Sequence, residues 1–274
     1  MRRIAGVSGV AAPRGAASNA VVANGFVFVS GLVPVSADTN EPPADFADQV
    51  RLVLSNLSET LEAAGSSLKH AVKVTTFLTD PRLAEYNEIY AEVFGDELPA
   101  RTTVMVASGE FAIEVHCIAA VRGPDYPAGI RRIANATGMA PVLGPYSQAV
   151  VANGLVFTSG QIPAVSSMQD QPEDFGGKVK QTLANLETVL LAAGSGLEHV
   201  TKVTTYLTDP GQLAEYNGIY ATFFGSSLPA RTSCCVDIWD IALEIECIAV
   251  VPAATGAPGA QSSSAPIREE VSAV

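Results

Sequence analysis

The chain has 274 residues, 48% of them apolar and 16% charged, and 28 acidic against 16 basic side chains give a formal net charge of -12. That length holds two average domains, and so apolar a composition excludes a disordered chain. An acidic balance without a basic run argues against nucleic acid, no stretch approaches the ~18 apolar residues that span a bilayer, and Gly, Ser and Pro interrupt the start too often for a secretory signal. The expectation is a cytoplasmic protein with neither nucleic-acid nor membrane partners.

The chain repeats itself. NAVVANGFVFVSG (19–31) returns as QAVVANGLVFTSG (148–160), KVTTFLTDP (73–81) as KVTTYLTDP (202–210), LAEYNEIYAEVFG as LAEYNGIYATFFG, and LPART ends at both Thr102 and Thr232. The offset is 129 residues, becoming 130 after an insertion near Gly211. Two copies at this period are two homologous domains rather than a solenoid.

In chain order, each copy opens with two short β-rich runs around Asn24-Gly25, a hairpin signal. A polar loop follows, and Asp45 can cap a helix whose Phe46, Val50, Val53, Leu54, Leu57 and Leu61 share one face before Gly65 closes it. AVKVTTFLT is a strand, Leu83 to Phe94 a second helix, and TTVMVA and FAIEVHCIAAV two final strands. The order β-β-α-β-α-β-β predicts a mixed sheet with both helices on one face, and the bare face then needs a partner. The expected boundaries are residues 15–121 and 144–251 for the two domains, 122–143 for a Gly/Pro/Ala-rich linker, and 252–274 for a disordered tail. Cys117 and Cys247 sit in equivalent apolar runs and read as buried thiols. With Cys234 and Cys235 they form no CxxC pair, which suggests neither zinc nor a disulfide framework.

Three features are polar where packing would prefer otherwise. Arg101 and Arg231 follow a Pro-fixed turn at a strand start, where a guanidinium can offer its planar fork to a carboxylate or simply make a surface ion pair. Glu244 and Glu246 alternate on one face of a strand. Tyr146 and Ser147 precede the first strand of the second copy. His70 and His199 match each other and read as structural or solvent-facing.

Taken together, GPYSQAVVANGLVFTSGQIP, EYNGIYATFF, LPARTS and LEIECIAVV resemble the reactive intermediate deaminase (Rid, YjgF-like) family across nearly all of residues 140–251 and, more loosely, 15–121. The resemblance implies an α+β protein of two tandem chorismate mutase-like domains. It implies trimeric rings of domains, clefts between neighbours that bind small carboxylates, and cofactor-free hydrolysis of 2-imino acids and enamines to 2-keto acids and ammonia. Carried onto this chain, it marks Arg231 as carboxylate anchor, Glu246 as the group that orients or activates water, and Tyr146, Ser159, Gly160 and Asn217 as cleft lining. The first copy keeps Arg101, Ser30, Gly31 and Asn87 but has Ala17 at the tyrosine position and His116 at the glutamate position. The second copy is therefore the expected working site. The first is a structural partner, a silent binder, or a site using His116 differently. Alternative functions are a non-catalytic carboxylate-binding or scaffold protein and, further off, an endoribonuclease. Because rings need three domains and each chain supplies two, three chains forming two rings, with one copy from each chain per ring, are the expected assembly.

Overall fold

The computed structural model describes residues 1–107, 109–121, 123 and 129–253. In the first copy the Asn24-Gly25 turn, both residues at positive φ (46° and 75°), joins β2 (Ala20–Ala23) to β3 (Phe26–Val29). Left-handed dihedrals at both central turn positions match the twist of the strands they connect. Helix α1 (Phe46–Ala63) begins where the Asp45 carboxylate accepts the Asp48 N–H, and Gly65 at φ 81° turns the chain away from it. Its six apolar residues on one face are essentially sealed from solvent, each worth roughly 1.5–3 kcal/mol of burial. Then come β4 (Ala71–Leu78), α2 (Leu83–Phe94), β5 (Ala100–Met105) and β6 (Ile113–Ala120).

With β1 (Arg2–Ile4) on its edge, the sheet order is β1-β2-β3-β6-β4-β5. Only the β4–β5 pair, joined through the α2 crossover, is parallel. The second copy repeats the plan with β7 (Arg131–Ile133), β8 (Ala149–Ala152), β9 (Leu155–Thr158), α3 (Phe175–Ala192), β10 (Val200–Leu207), α4 (Leu213–Phe224), β11 (Ala230–Cys235) and β12 (Leu243–Val250). Its sheet order is the mirror list, β11-β10-β12-β9-β8-β7.

Strands β1 and β7 fall outside the domain limits read from sequence. The first lies before residue 15 and the second inside the stretch expected to be linker. Each carries an arginine that donates to the end of a helix, Arg2 Nη2 to the Ala64 carbonyl (2.6 Å) and Arg131 Nη2 to the Ala193 carbonyl (2.7 Å). Cations there satisfy orphan carbonyls and face the negative end of the helix dipole. Most of the expected tail, residues 254–274, lies outside the described residues.

The helix-free faces cover one another. Phe26 and Phe157 meet edge-on at 5.4 Å within an apolar layer that includes Val72, Ala100, Ala120, Val150 and Ala152. The partner demanded by the bare sheet face is thus the other copy of the same chain. Cys117 and Cys247 are buried thiols on β6 and β12. His70 and His199 sit in short 3-10 turns ahead of β4 and β10, the first bonded to Ser67 Oγ and the second 3.5 Å from Glu198.

Candidate functional site between the two copies

The LPAR segment of the first copy is clasped by the second. Ser147 donates from its N–H to the Pro99 carbonyl (3.0 Å) and from Oγ to the Leu98 carbonyl (2.8 Å). Ser159 Oγ accepts the Arg101 N–H (2.8 Å) while donating to the Ser147 carbonyl (2.6 Å), and the Gly160 N–H reaches the Arg101 carbonyl (3.2 Å). These backbone ties fix where the Arg101 side chain emerges. Its guanidinium lies 5.3, 4.8 and 5.4 Å from the rings of Tyr86, Tyr90 and Tyr146, a cage contributed by both copies.

Arg101 is only 6% exposed, yet among the described residues no carboxylate lies within 4 Å of it. Its Nη1 and the neighbouring Asn87 Oδ1 are buried without a hydrogen-bond partner. A buried cation is ordinarily paired, and unpaired polar atoms cost free energy. Both residues line a 160 Å³ cleft together with Thr103, Tyr146, Gly160 and Glu244.

Glu244 is buried, and its carboxyl titrates above the ordinary carboxylic range. Burial is the main cause and the charge of Glu246 the next, with Lys73 and Arg101 pulling the other way. The same carboxyl explains Gly160: a Cβ there would stand 1.5 Å from Glu244 Oε1. Gly31 and Glu114 repeat this close approach in the first copy, at 2.0 Å.

Arg231 and Glu246, both assigned from sequence to one cleft, do not come together within the chain. Val203 is in register with Arg231 on one side and Cys247 on the other. These three side chains therefore project to the helix-covered face of the sheet, and Glu246, one residue on, projects to the opposite face. Arg231 is exposed on edge strand β11, held by Asn217 Oδ1 (2.6 Å) over Tyr216 and Tyr220. Glu246 instead bridges the copies: Lys73 Nζ is 2.6 Å from Glu246 Oε2, which also accepts the Thr102 hydroxyl, and Lys73 donates to the Thr158 carbonyl (2.8 Å). His116 stacks on Phe77 at 5.8 Å, with its pKa lowered by burial against an opposing pull from Glu246.

Each copy thus supplies half of the cleft formed within the chain. The anchor half is Arg101 and Asn87 of the first copy, and the wall is Tyr146, Ser159, Gly160 and Glu244 of the second. The complementary halves, Arg231 with Asn217 on one side and Ala17, Ser30, Gly31 and Glu114 on the other, do not meet within the chain. The cleft also has an apolar end that the sequence reading did not include, built largely by the turn Val236–Ile241.

Two facing copies of one α+β domain, with a buried arginine lining the cleft between them, define a tandem two-domain architecture. The profile of the family described as endoribonuclease L-PSP matches residues 9–121 and again 137–251, and the chain belongs to that family, as a tandem two-domain Rid/YjgF member. A RutC family protein of Synechocystis is 41% identical over 128 residues, 44% of this chain and 95% of its own length. An Escherichia coli protein named "Putative reactive intermediate deaminase TdcF" is 36% identical over 115 residues (39% and 88%). A crystal structure of Escherichia coli TdcF with bound serine aligns at 33% identity and a TM-score of 0.41, covering 44% of this chain and 98% of the other. Protein mmf2 of Schizosaccharomyces pombe, 44% identical over 109 residues (38% and 86%), is named as mitochondrial. Among the described residues, no helix is long and apolar enough to cross a membrane.

Proposed function

We propose that the cleft between the copies binds a 2-imino acid by its carboxylate and hydrolyses it, without a cofactor, to the 2-keto acid and ammonia. The observation that carries this reading is Arg101, a buried guanidinium with an unpartnered Nη1 and, among the described residues, no carboxylate of its own. A planar fork suits the two oxygens of a carboxylate, and the name given to the Escherichia coli relative agrees. The family description points to RNA instead. A net charge of -12 and a cleft holding one caged cation favour a small monoanion.

In this reading Glu244 moves the protons. Its raised pKa keeps the carboxyl protonated near neutral pH, and a substrate carboxylate arriving beside it reinforces that state. The acid protonates the imine nitrogen. Water then adds to the C=N carbon and returns a proton to the carboxylate. A second transfer, from the new hydroxyl through Glu244 to the amine, breaks the C–N bond, forms the C=O and releases ammonia. One carboxyl acts as acid and base in turn.

Glu244→Gln keeps the shape and removes the proton, and should lower the catalysed rate about 10²–10⁴-fold. Ammonia release above spontaneous hydrolysis, from an imine generated in situ, measures it. The wild-type rate should fall as pH rises through an apparent pKa above the ordinary carboxyl range, because the protonated acid starts the cycle, and the variant should lose that limb. Wild-type-like turnover by the variant removes Glu244 from this role. Ligand binding without ammonia release by the wild type leaves the non-catalytic reading in its place.

Self-association belongs to the same proposal. The edge strand carrying Arg231 and the open wall at Ser30, Gly31 and Glu114 are the counterparts of the two surfaces already joined inside the chain, so a second chain can join them again. Both copies of one chain flank the same cleft, which departs from rings holding one copy per chain. Light scattering should still give a multiple of 28.4 kDa, with three chains as the family resemblance implies. A particle of one chain would leave Arg231 outside any closed site.

A further inference from the structure

The cleft has two chemically different ends. Beyond Arg101 and Glu244 its lining is apolar: Leu83 of the first copy, and Ile162, Met168, Ile238, Trp239 and Ile241 of the second. Three of these six, Met168, Ile238 and Trp239, have Thr39, Ser108 and Gly109 at the matching positions of the first copy. Where the second copy reads Val-Asp-Ile-Trp-Asp-Ile (236–241), the first reads Val-Ala-Ser-Gly-Glu-Phe (106–111), so an apolar wall at this place is written into the chain once.

The turn that carries it is held firmly. Asp237 exchanges two backbone hydrogen bonds with Met105 of the first copy (2.9 and 3.2 Å), and the Ile241 N–H returns to the Ile238 carbonyl (3.1 Å). Trp239 sits at its tip with φ 51°, in the left-handed region where a bulky aromatic is a genuine outlier. The first copy has Gly109 at that position, the residue for which such a backbone costs least. Strain tolerated at a cleft wall points toward a function for the side chain. Trp239 packs onto the margin of the first copy's core and onto the small cluster of Val104, Tyr206, Ile238 and Ile241, which fixes its ring as a wall rather than a free surface group.

We infer that the Trp239 turn is a side-chain subsite, and that the cleft selects carboxylates bearing a medium-sized aliphatic or thioether side chain over small or polar ones. The inference rests on the proposed carboxylate role of Arg101. With the carboxylate on the guanidinium and the reacting carbon beside Glu244, a 160 Å³ cavity leaves the side chain only the apolar end to occupy. A hydroxyl or charge placed there would be buried without a partner.

Trp239 is the sole tryptophan of the chain, so its fluorescence reports occupancy of the cleft independently of turnover. Titration with 4-methyl-2-oxopentanoate should change that emission with an affinity about tenfold or more above that for pyruvate, from the extra carbons buried. Equal affinities, or no response to either acid, overturn the subsite. In the ammonia assay, imines made in situ from leucine and methionine should exceed the alanine-derived imine in kcat/KM by a similar factor. Trp239→Gly, which suits the backbone, should lower the ratio of kcat/KM for the leucine-derived over the alanine-derived imine about tenfold. A uniform loss on all substrates would make Trp239 merely structural and overturn the proposal. If no imine is hydrolysed yet 4-methyl-2-oxopentanoate still binds tenfold more tightly, the hydrolase reading fails and the subsite stands.

Discussion

Arg101→Ala should reduce imine hydrolysis by about 10²–10⁴-fold in kcat/KM, while Arg231→Ala changes it less than about threefold. Hydrogen bonds to charged groups contribute roughly 1.5–3 kcal/mol each. A fork that grips both carboxylate oxygens loses two of them at about 1.36 kcal/mol per tenfold in rate. Arg101→Lys should behave almost like the alanine variant. An ammonium keeps the charge but cannot span two oxygens, and it is more strongly hydrated than the guanidinium that the three tyrosine rings enclose. Lysine also retains most of the buried stem, so unchanged melting of Arg101→Lys separates loss of the anchor from loss of packing. Should Arg231→Ala prove the more damaging change, the reaction does not run in the cleft inside the chain, and the site would have to form between chains around the exposed edge strand.

That ranking reverses the one the sequence suggests, and the reason is physical. Most local elements were legible: the Asn-Gly hairpin, the Asp45 cap, the apolar face of α1 and the longer β-branched strands each carry their instruction within a few residues. The repeat also predicted that the helix-free sheet face must be covered. What covers it is a long-range fact, and comparing two copies position by position tempts one to assign a complete site to each. Tyr146 marks the wall of one copy and Arg101 the anchor of the other, and only the docking of β5 against Ser147 and Ser159 joins them. Face parity separates the other two. An arginine in register with Val203 and a glutamate in register with Thr204 cannot meet across one sheet. The strands β1 and β7 were legible too, since Arg-Arg-Ile-Ala recurs at residues 2 and 131 with the same 129-residue offset, although three residues carry no alternation to detect. The Trp239 turn is not legible from the repeat, because it is where the two copies differ.

Glu246→Ala should destabilise the protein by about 3–5 kcal/mol, the usual consequence of stranding a buried charge. The Lys73–Glu246 pair is nearly enclosed, with side chains 9% and 14% exposed, and lies between the two sheets. Without the carboxylate the Lys73 ammonium keeps only the Thr102 hydroxyl and the Thr158 carbonyl, both neutral. For a chain of this size the melting temperature should drop on the order of 10 °C. The partner change tests the cause. Lys73→Met combined with Glu246→Leu removes both charges and fills the space with apolar volume, so the double variant should recover most of the loss or exceed the wild type, whereas Glu246→Ala alone cannot. Glu246→Gln separates this role from the catalytic one suggested by the sequence. An amide keeps an acceptor for Thr102 but not the charge, so melting should fall clearly while turnover, measured well below the transition, stays within a few-fold. A Glu246→Gln protein that melts like the wild type and has lost hydrolysis would return Glu246 to the chemistry and displace Glu244 from it. The first copy bears on the same point: at the position of Glu246 it has His116, and an imidazole, whose pKa burial lowers here, has no negative charge with which to neutralise a lysine. If a second chain docks its first copy against the exposed β11 edge, Lys202, the counterpart of Lys73, meets that histidine instead of a carboxylate. The joint between chains should therefore be weaker than the joint within one, dissociating on dilution while the two copies of each chain stay together.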